Sequence, residues 1–577
     1  NVSIDASRCK FYDRHWKVTK AEVLDFIGGG AATKDIREWP GNGDVAYGED
    51  QSLAPFFDND QNGVYSSDAG DYPYYNFSGN YPNNVCNDYI FGDETLWWVI
   101  NDVGEAHTAT VDGGQIGVEI RCQGFAFKTN DEVNNMTFYK YQIINRGTSP
   151  LLNTYFGVWC DPDLGKATDD FVGCDVSLGL GYVYNGDADD DGGGAYGQNP
   201  PAAGIDFFQG PLADPFDGID NNKDGVIDEP GEQIIMSKYL YYNNVNNTPD
   251  GNPNGAAHHY NYLQGIWGDG QVMTYGGDGR DANNPPCNYM FPGLTDPDFP
   301  STNWTEVTAG NTPEDRRFLQ SAGKFTLQPG AVNYITTGVV WARTSTGGPE
   351  GSISLMKLAD AKAQAIFDNC FQVLDGPNAP DLAIRELSNQ IIITLQNYND
   401  SSVELYSKID PVIPEVVYQG NDTIYYSDEQ RKYKFQGYIL YQFKNATVTT
   451  ADIGNPDKVR TVAEFQCDVA DNISQLVNHT YDDNLGYWIP QEKVKGANQG
   501  IKHVFNVTTD LFATDDPKLI NNKQYYFTII SYAYNNFAPF VPTIGTATNY
   551  TQSTPFFQGR NNIKTYTAIP HLPVVEN

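Results

Sequence analysis

At 577 residues the chain exceeds what a single hydrophobic core serves, so two or three domains are expected. Its 73 acidic and 36 basic residues give a formal charge of -37, which argues against nucleic acid or an anionic membrane as partner and makes bound cations the natural relief of self-repulsion. No apolar run approaches the roughly 20 residues of a spanning helix, so no membrane insertion is expected.

Tyr, Gly, Asn and Asp are abundant and Lys is scarce, a balance closer to secreted surface proteins than to cytosolic enzymes. Asn1 opens on no basic-then-apolar region, so the expectation is an already processed chain. The eight cysteines, Cys9, Cys86, Cys122, Cys160, Cys174, Cys287, Cys370 and Cys467, are scattered and form no CxxC pair. Long-range disulfides or buried thiols remain, with a few disulfides favoured and Cys160 with Cys174 as the local pair.

Residues 1–110 read as an irregular, turn-rich region packed on the next domain, punctuated by Gly28-Gly29-Gly30 and Pro40-Gly41-Asn42-Gly43. Inside it Asp58, Asp60 and Asn62 take loop positions one, three and five, with Gly63 at six, the carbonyl of Val64 at seven and Ser66 at nine. That is the oxygen spacing of an EF-hand-type calcium loop. Asp68 and Asp71 follow.

Residues 111–375 read as an antiparallel β-sandwich interrupted by acidic loops. Val118, Ile120 and Cys122 alternate with Glu119, Arg121 and Gln123; the same period of two runs through Phe138 to Ile144, Val176 to Tyr184, Lys324 to Leu327 and Tyr334 to Trp341. Between these strands Asp161, Asp163 and Asp169 open one acidic cluster, continued by Asp170 and Asp175. Asp187, Asp189 and Asp191 with Gly192 repeat the one-three-five spacing, but nothing oxygenated stands at nine. The clearest calcium loop is Asp217 to Glu232: Asp220, Asn222, Asp224 and Asp228 supply side chains at one, three, five and nine, Gly225 turns the chain, and Val226 offers its carbonyl. Gly231 holds position twelve, where an EF-hand has its bidentate Glu, and Glu232 comes one place later. At every loop the alternative is a solvated acidic turn, because Asp, Asn and Gly also build ordinary turns.

The Asn-, Gly- and Pro-rich segment 246–312 contains His258-His259 and Trp267, and cations or partner contacts are expected to tie it down. His258 and His259, read as strand neighbours on opposite faces, make a poor chelate. A helix near 353–371 is predicted from Leu355, Leu358, Ala359, Ala363, Ile366 and Cys370, with Ser352 as its cap. After the linker Asp375 to Pro380, residues 378–555 resemble a fibronectin type III or immunoglobulin-like sandwich, enlarged by insertions at about 400–430 and 470–505. Its strands run over Ile391 to Leu395, Tyr433 to Phe443 and Tyr525 to Ala533, with Tyr525 as the corner tyrosine. Residues 556–577 read as a C-terminal extension.

No HExxH, G-x-S-x-G, P-loop or dinucleotide fingerprint occurs, and nothing singles out a catalytic pair among the carboxylates. Trp97-Trp98, Trp159 and Trp267 read as sugar-stacking aromatics or, more commonly, as buried sandwich tryptophans.

Several phrases carry a resemblance: Gly48-Glu49-Asp50-Gln51-Ser52-Leu53-Ala54-Pro55-Phe56-Phe57-Asp58-Asn59-Asp60, Asp161-Pro162-Asp163-Leu164-Gly165, Asp206-Phe207-Phe208-Gln209-Gly210-Pro211-Leu212, Met290-Phe291-Pro292-Gly293 and Gly338-Val339-Val340-Trp341-Ala342-Arg343. Together they resemble the large cell-surface cargo of the type IX secretion system of Bacteroidota. The resemblance implies an extracellular, cell-surface location. Such proteins usually end in a sorting domain, which this chain lacks at Asn577, so a processed or truncated form is expected. The expected function is a non-catalytic, calcium-stabilised structural protein, the subunit of a filament or surface layer, with other copies or other surface proteins as partners. An adhesin or glycan-binding protein is the alternative, and a polysaccharide-degrading enzyme the next.

Overall fold

The structure is a computed structural model. It describes residues 4–572 except 76–89, 91, 105, 109, 111, 130–131, 224, 345, 369–370, 372–373, 411–412, 414–415, 420–421, 467–472, 474, 483–486, 497–499 and 544–550. The protein is mainly β, built of antiparallel sheets with one long helix. Two compact units divide it, Asn1–Phe371 and Gln372–Asn577. Among the described residues no helix is long and apolar enough to cross a membrane.

In the first unit an eight-stranded sheet runs Trp16–Thr19, Glu94–Asn101, Val118–Ala126, Met136–Asn145, Val332–Ala342, Ala202–Gln209, Leu180–Asn185, Asp170–Asp175. A three-stranded sheet of Lys238–Asn243, Arg316–Leu327 and Leu151–Cys160 shares its core: Val172, Val183, Phe207 and Ile335 from the large sheet join Tyr239, Phe318, Phe325 and Leu327 from the small one. The helix Gly348–Asp368 packs on Ala202–Gln209 and Val332–Ala342. Phe208 of the large sheet stacks on the helix's Phe367, and Phe371 beyond the helix meets Phe125 and Phe138 edge-on.

Being covered on both faces changes what the strands look like in sequence. Asp170–Asp175 and Leu180–Asn185 are buried at every position, so they need not alternate. The predicted single strand from Val176 to Tyr184 is a hairpin: Val176–Gly179 form the turn, Gly179 adopts φ +77°, and Asp175 Oδ1 accepts the N–H groups of Ser177 and Leu178. Small Ser and Gly residues between apolar ones imitate a period of two.

The helix begins five residues before the predicted 353, and Ser352 does not cap it. The Ser352 hydroxyl donates to the carbonyl of Pro200 (2.7 Å) and accepts the N–H of Thr344 (3.1 Å), pinning the helix to neighbouring loops instead. Cys370 lies outside the described residues. His258 and His259 sit on the helix Ala256–Leu263 rather than a strand. Segment 246–312 is anchored by its own aromatics: Tyr262, Trp267, Tyr275 and Trp304 are buried, and the indole N–H groups of Trp267 and Trp304 donate to Gly279 and Gly277 carbonyls.

The expected Cys160–Cys174 disulfide is not formed. Cys160 belongs to the small sheet, opposite Phe318, and Cys174 to the large one, opposite Gly181, where its thiol donates to the carbonyl of Met290. Cys9, Cys122 and Cys287 are also free; Cys86 and Cys467 lie outside the described residues.

The second unit is again a pair of sheets. Leu382, Ile391, Ile393, Phe505 and Val507 from the three-stranded sheet pack with Tyr433, Phe435, Tyr438, Leu440, Phe527 and Ile529 from the six-stranded one. The hairpin Gln475–Asp482 with Tyr487–Lys495, inside the expected insertion, covers Ile439, Tyr441, Ile530 and Tyr532 with Leu476 and Val494. Phe556–Gln558 and Tyr566–Ala568, read as part of an extension, hydrogen-bond along Tyr525–Tyr534. The Tyr525 hydroxyl accepts the N–H of Ile520 at 2.8 Å, closing the corner in front of the strand. Tyr525→Phe is expected to cost this unit about 1 kcal/mol in denaturant unfolding; no change would show that water replaces the bond.

Candidate cation centres

Asp58, Asp60 and Asp71 bring carboxylate oxygens within 4.8 Å of one another. The local sequence builds the turn. Asp58 accepts the N–H groups of Asn62 (3.1 Å) and Gly63 (2.7 Å), Asn62 Oδ1 accepts that of Val64 (2.6 Å), and Gln61 and Gly63 take left-handed backbone. The Gly63 N–H, first among several, holds the Asp58 carboxyl below its ordinary range. Asp71 enters from the following turn and is fully buried, accepting the N–H groups of Asn59 (2.9 Å) and Ser66 (2.7 Å). Ser66 thus supports the third carboxylate with its backbone. Among the described residues no salt bridge from Lys, Arg or His reaches Asp58, Asp60 or Asp71.

Around Asp217–Glu232 the loop residues bond mainly to one another. Asp220 Oδ2 accepts the N–H of Gly225 (3.0 Å), Asp228 Oδ1 that of Gly218 (3.0 Å), and Glu232 Oε1 those of Asn221 and Asn222. Asn222 donates to Glu229 (2.6 Å). Asp220 Oδ1 and Glu229 Oε2 are buried with no donor. Lys223 reaches out of the loop to the Tyr289 hydroxyl, and Val226 is exposed. Asp224 lies outside the described residues.

The third centre joins distant parts of the chain. Asp161, Asp163 and Asp315 bring oxygens within 4.8 Å of one another. Arg317 bridges two of them, to Asp161 at 2.9 Å and Asp315 at 3.1 Å, because strands Leu151–Cys160 and Arg316–Leu327 pair with Cys160 opposite Phe318. Burial, then the charges of Asp161 and Asp315, raise the Asp163 carboxyl. Asp169 lies farther along the same loop. Burial first, with the charges of Asp169, Asp190 and Asp163, pushes Asp170 up to about 8.

Asp187, Asp189 and Asp191 are exposed, and Asp187 accepts the N–H of Asp189 (2.8 Å). Their buried neighbour Asp190 turns inward and accepts the N–H groups of Lys166 and Tyr196. Two loops read separately in the sequence are therefore held together by Asp190.

Only the 58–71 and 161–163/315 groups converge among the described residues. Every converging donor is a carboxylate oxygen, the ligand type preferred by hard cations such as calcium, which take about six to eight oxygens. Asp71, Asp315, Asp190 and Glu229 are not among the ligands that the sequence spacing predicts. Asp71 stood in view as a trailing acid, whereas Asp315 has no local signal, since only sheet register brings it to Asp161. Compared with models of known protein families and with curated proteins, the chain matches none.

Proposed function

We propose that this is a non-catalytic structural protein of the outer cell surface, delivered by type IX secretion, whose loops are made rigid by calcium and whose copies associate into a filament or layer. The observation that carries the reading is the Asp58/Asp60/Asp71 centre, three converging carboxylates from two successive turns with a fully buried member and no salt-bridge partner among the described residues. Such a group is self-repelling, and a divalent ion converts the repulsion into shared coordination that orders the loop. Self-association draws support from Asp217–Glu232 and its approach, where Phe216 is 87% exposed and Val226 and Ile227 lie open beside acids.

Negative-stain electron microscopy before and after EDTA tests the whole reading. Filaments or sheets that disperse on chelation are the expected result; single particles under both conditions sink the assembly. Chelation is also expected to lower the melting temperature, and Asp60→Ala to weaken calcium binding about tenfold or more, about 1.4 kcal/mol. Identical melts with and without calcium would remove the cation from the mechanism.

A second reading, glycan binding, is favoured by one feature. Trp159 is 54% exposed on the small sheet, and a cavity of about 610 Å³ lined by Asn243, Asn244, Asn311 and Glu314 together with Tyr241 and Val245 lies in the same unit. Amide and carboxylate walls suit sugar hydroxyls, and an exposed indole suits a sugar face. Selective glycan-array binding that Trp159→Ala abolishes would establish it.

A further inference from the structure

We propose that the 610 Å³ cavity binds an uncharged sugar unit through Asn243, Asn311, Glu314 and Thr168, an assignment that rests on the glycan reading and narrows it to neutral ligands. Part of the cavity wall is already committed within the protein. Arg316 gives Nη1 to Asn243 Oδ1 (2.8 Å), Nη2 to the carbonyl of Thr312 (2.6 Å), and Nε and Nη2 to the Glu306 carboxylate. Asp315 is taken by Arg317 (3.1 Å) and by the Asn244 amide (2.9 Å), and Asn244 Oδ1 accepts from Asn252 (2.9 Å). Asn311 donates its Nδ2 to Glu306 at 2.9 Å. What remains is the other half of two amides. Asn243 keeps its Nδ2 donor and Asn311 its Oδ1 acceptor, while the Glu314 carboxylate and the Thr168 hydroxyl have no hydrogen bond or salt bridge among the described residues. Neither amide atom is sealed from solvent, and Thr168 and Glu314 are exposed.

These leftover groups select the ligand. Asn311 and Glu314 only accept, Asn243 only donates and Thr168 does both, so a ligand that donates and accepts from adjacent positions satisfies them all. Neighbouring hydroxyls on a sugar ring do this. An acidic sugar would meet Glu314 with no cation free to answer it, because the Arg316 side chain is 4% exposed and paired to the fully buried Glu306. Tyr241 and Val245 add apolar wall for the C–H groups of the ring. Both amides are anchored on the Glu306–Arg316 pair, so their orientation is set before a ligand arrives and little ordering cost is left to binding. The volume also falls in the range of about 300–1,000 Å³ usual for small-molecule sites.

The test is saturation-transfer difference NMR of the full chain, titrated with the methyl glycosides of glucose, galactose and mannose and with glucuronic acid and glucosamine. At least one neutral glycoside is expected to bind more tightly than either charged sugar. Glu314→Ala should weaken that binding about tenfold or more, and Thr168→Val should weaken it to a smaller extent. Both side chains are exposed and make no bond within the described protein, so neither change disturbs the fold. Affinities within about twofold of the parent in both variants overturn the cavity as the site; if the same binding is lost in Trp159→Ala, the glycan reading then stands on the indole alone. Tighter binding of glucuronic acid or glucosamine than of every neutral glycoside overturns the assignment of an uncharged ligand. Transfer to none of these sugars overturns the cavity site, and only a blank glycan array would remove the glycan reading with it.

Discussion

Glu306→Ala is expected to destabilise the Asn1–Phe371 unit by about 3–5 kcal/mol, the cost of leaving one member of a buried ion pair behind. Glu306 is fully buried at the start of a short helix capped by Thr305. Its carboxylate accepts from Arg316 Nη2 (2.8 Å) and Nε (3.1 Å), from the N–H of Val172 (2.8 Å) and from the Asn311 amide (2.9 Å). The Arg316 side chain is only 4% exposed, so truncating Glu306 strands a guanidinium where water scarcely reaches. Asn243 and Thr312 would still accept from Arg316, but both are neutral. The pair also fastens segment 246–312 to the edge strand Asp170–Asp175, since the Val172 N–H has its partner in Glu306. Glu306→Gln, which keeps the shape but loses the charge, should fall between the two. Denaturant unfolding followed by tryptophan fluorescence measures the difference, and a loss below about 1 kcal/mol would show that the neutral acceptors suffice.

Raising the pH should weaken the same unit through Asp206 and Asp360. Asp206 lies on strand Ala202–Gln209 and Asp360 on the helix packed against it; they are 0% and 1% exposed. Both oxygens of Asp206 and Oδ1 of Asp360 have no donor. Burial is the main cause that raises both carboxyls, followed by the charge of Asp360 on Asp206 and of Asp175 on Asp360. The nearby Lys357 is engaged by Asp175 at 2.8 Å.

Because the native values are raised, the native state holds protons that the unfolded state releases. The stabilisation is complete below the unfolded value near 4 and is lost as pH rises through the native one, about 8 for Asp360. The loss is at most about 1.4 kcal/mol per pH unit for each group. Asp175, held below its ordinary range by Lys357 against the opposing effect of burial, acts in the other direction and is lost in acid. Asp360→Asn isolates the effect: its stability relative to the parent should grow from pH 5 to 8. Parallel curves for the two proteins across that range would mean that Asp360 is ionised in the native state.

Much of the candidate chemistry could be read along the chain because it is built by neighbours. In Asp58 to Val64 the carboxylates and amides accept N–H groups two to five residues ahead, so the spacing of Asp, Asn and Gly is already the turn. Strands such as Gln390–Gln396, buried on alternate residues only, show their period of two directly. The helix likewise announces itself at spacings of three and four, although its first turn does not: Gly348, Pro349 and Gly351 are poor helix formers held there by burial.

What the amino-acid sequence determined alone is therefore short-ranged: a mainly β chain, the acidic turns, and a helix with one apolar face. The tertiary structure decided which acids meet. Asp315 reaches Asp161 through the pairing of two strands, Asp190 reaches the 161–170 loop across a separate turn, and Cys160 and Cys174 are kept apart by lying in different sheets. It also hid the Val176–Gly179 turn, since a strand covered on both faces loses its alternation. The physical reason is the same in each case. Turns and helices are set by hydrogen bonds between residues a few places apart, whereas convergence of charges depends on sheet register and burial, which distant parts of the chain settle together.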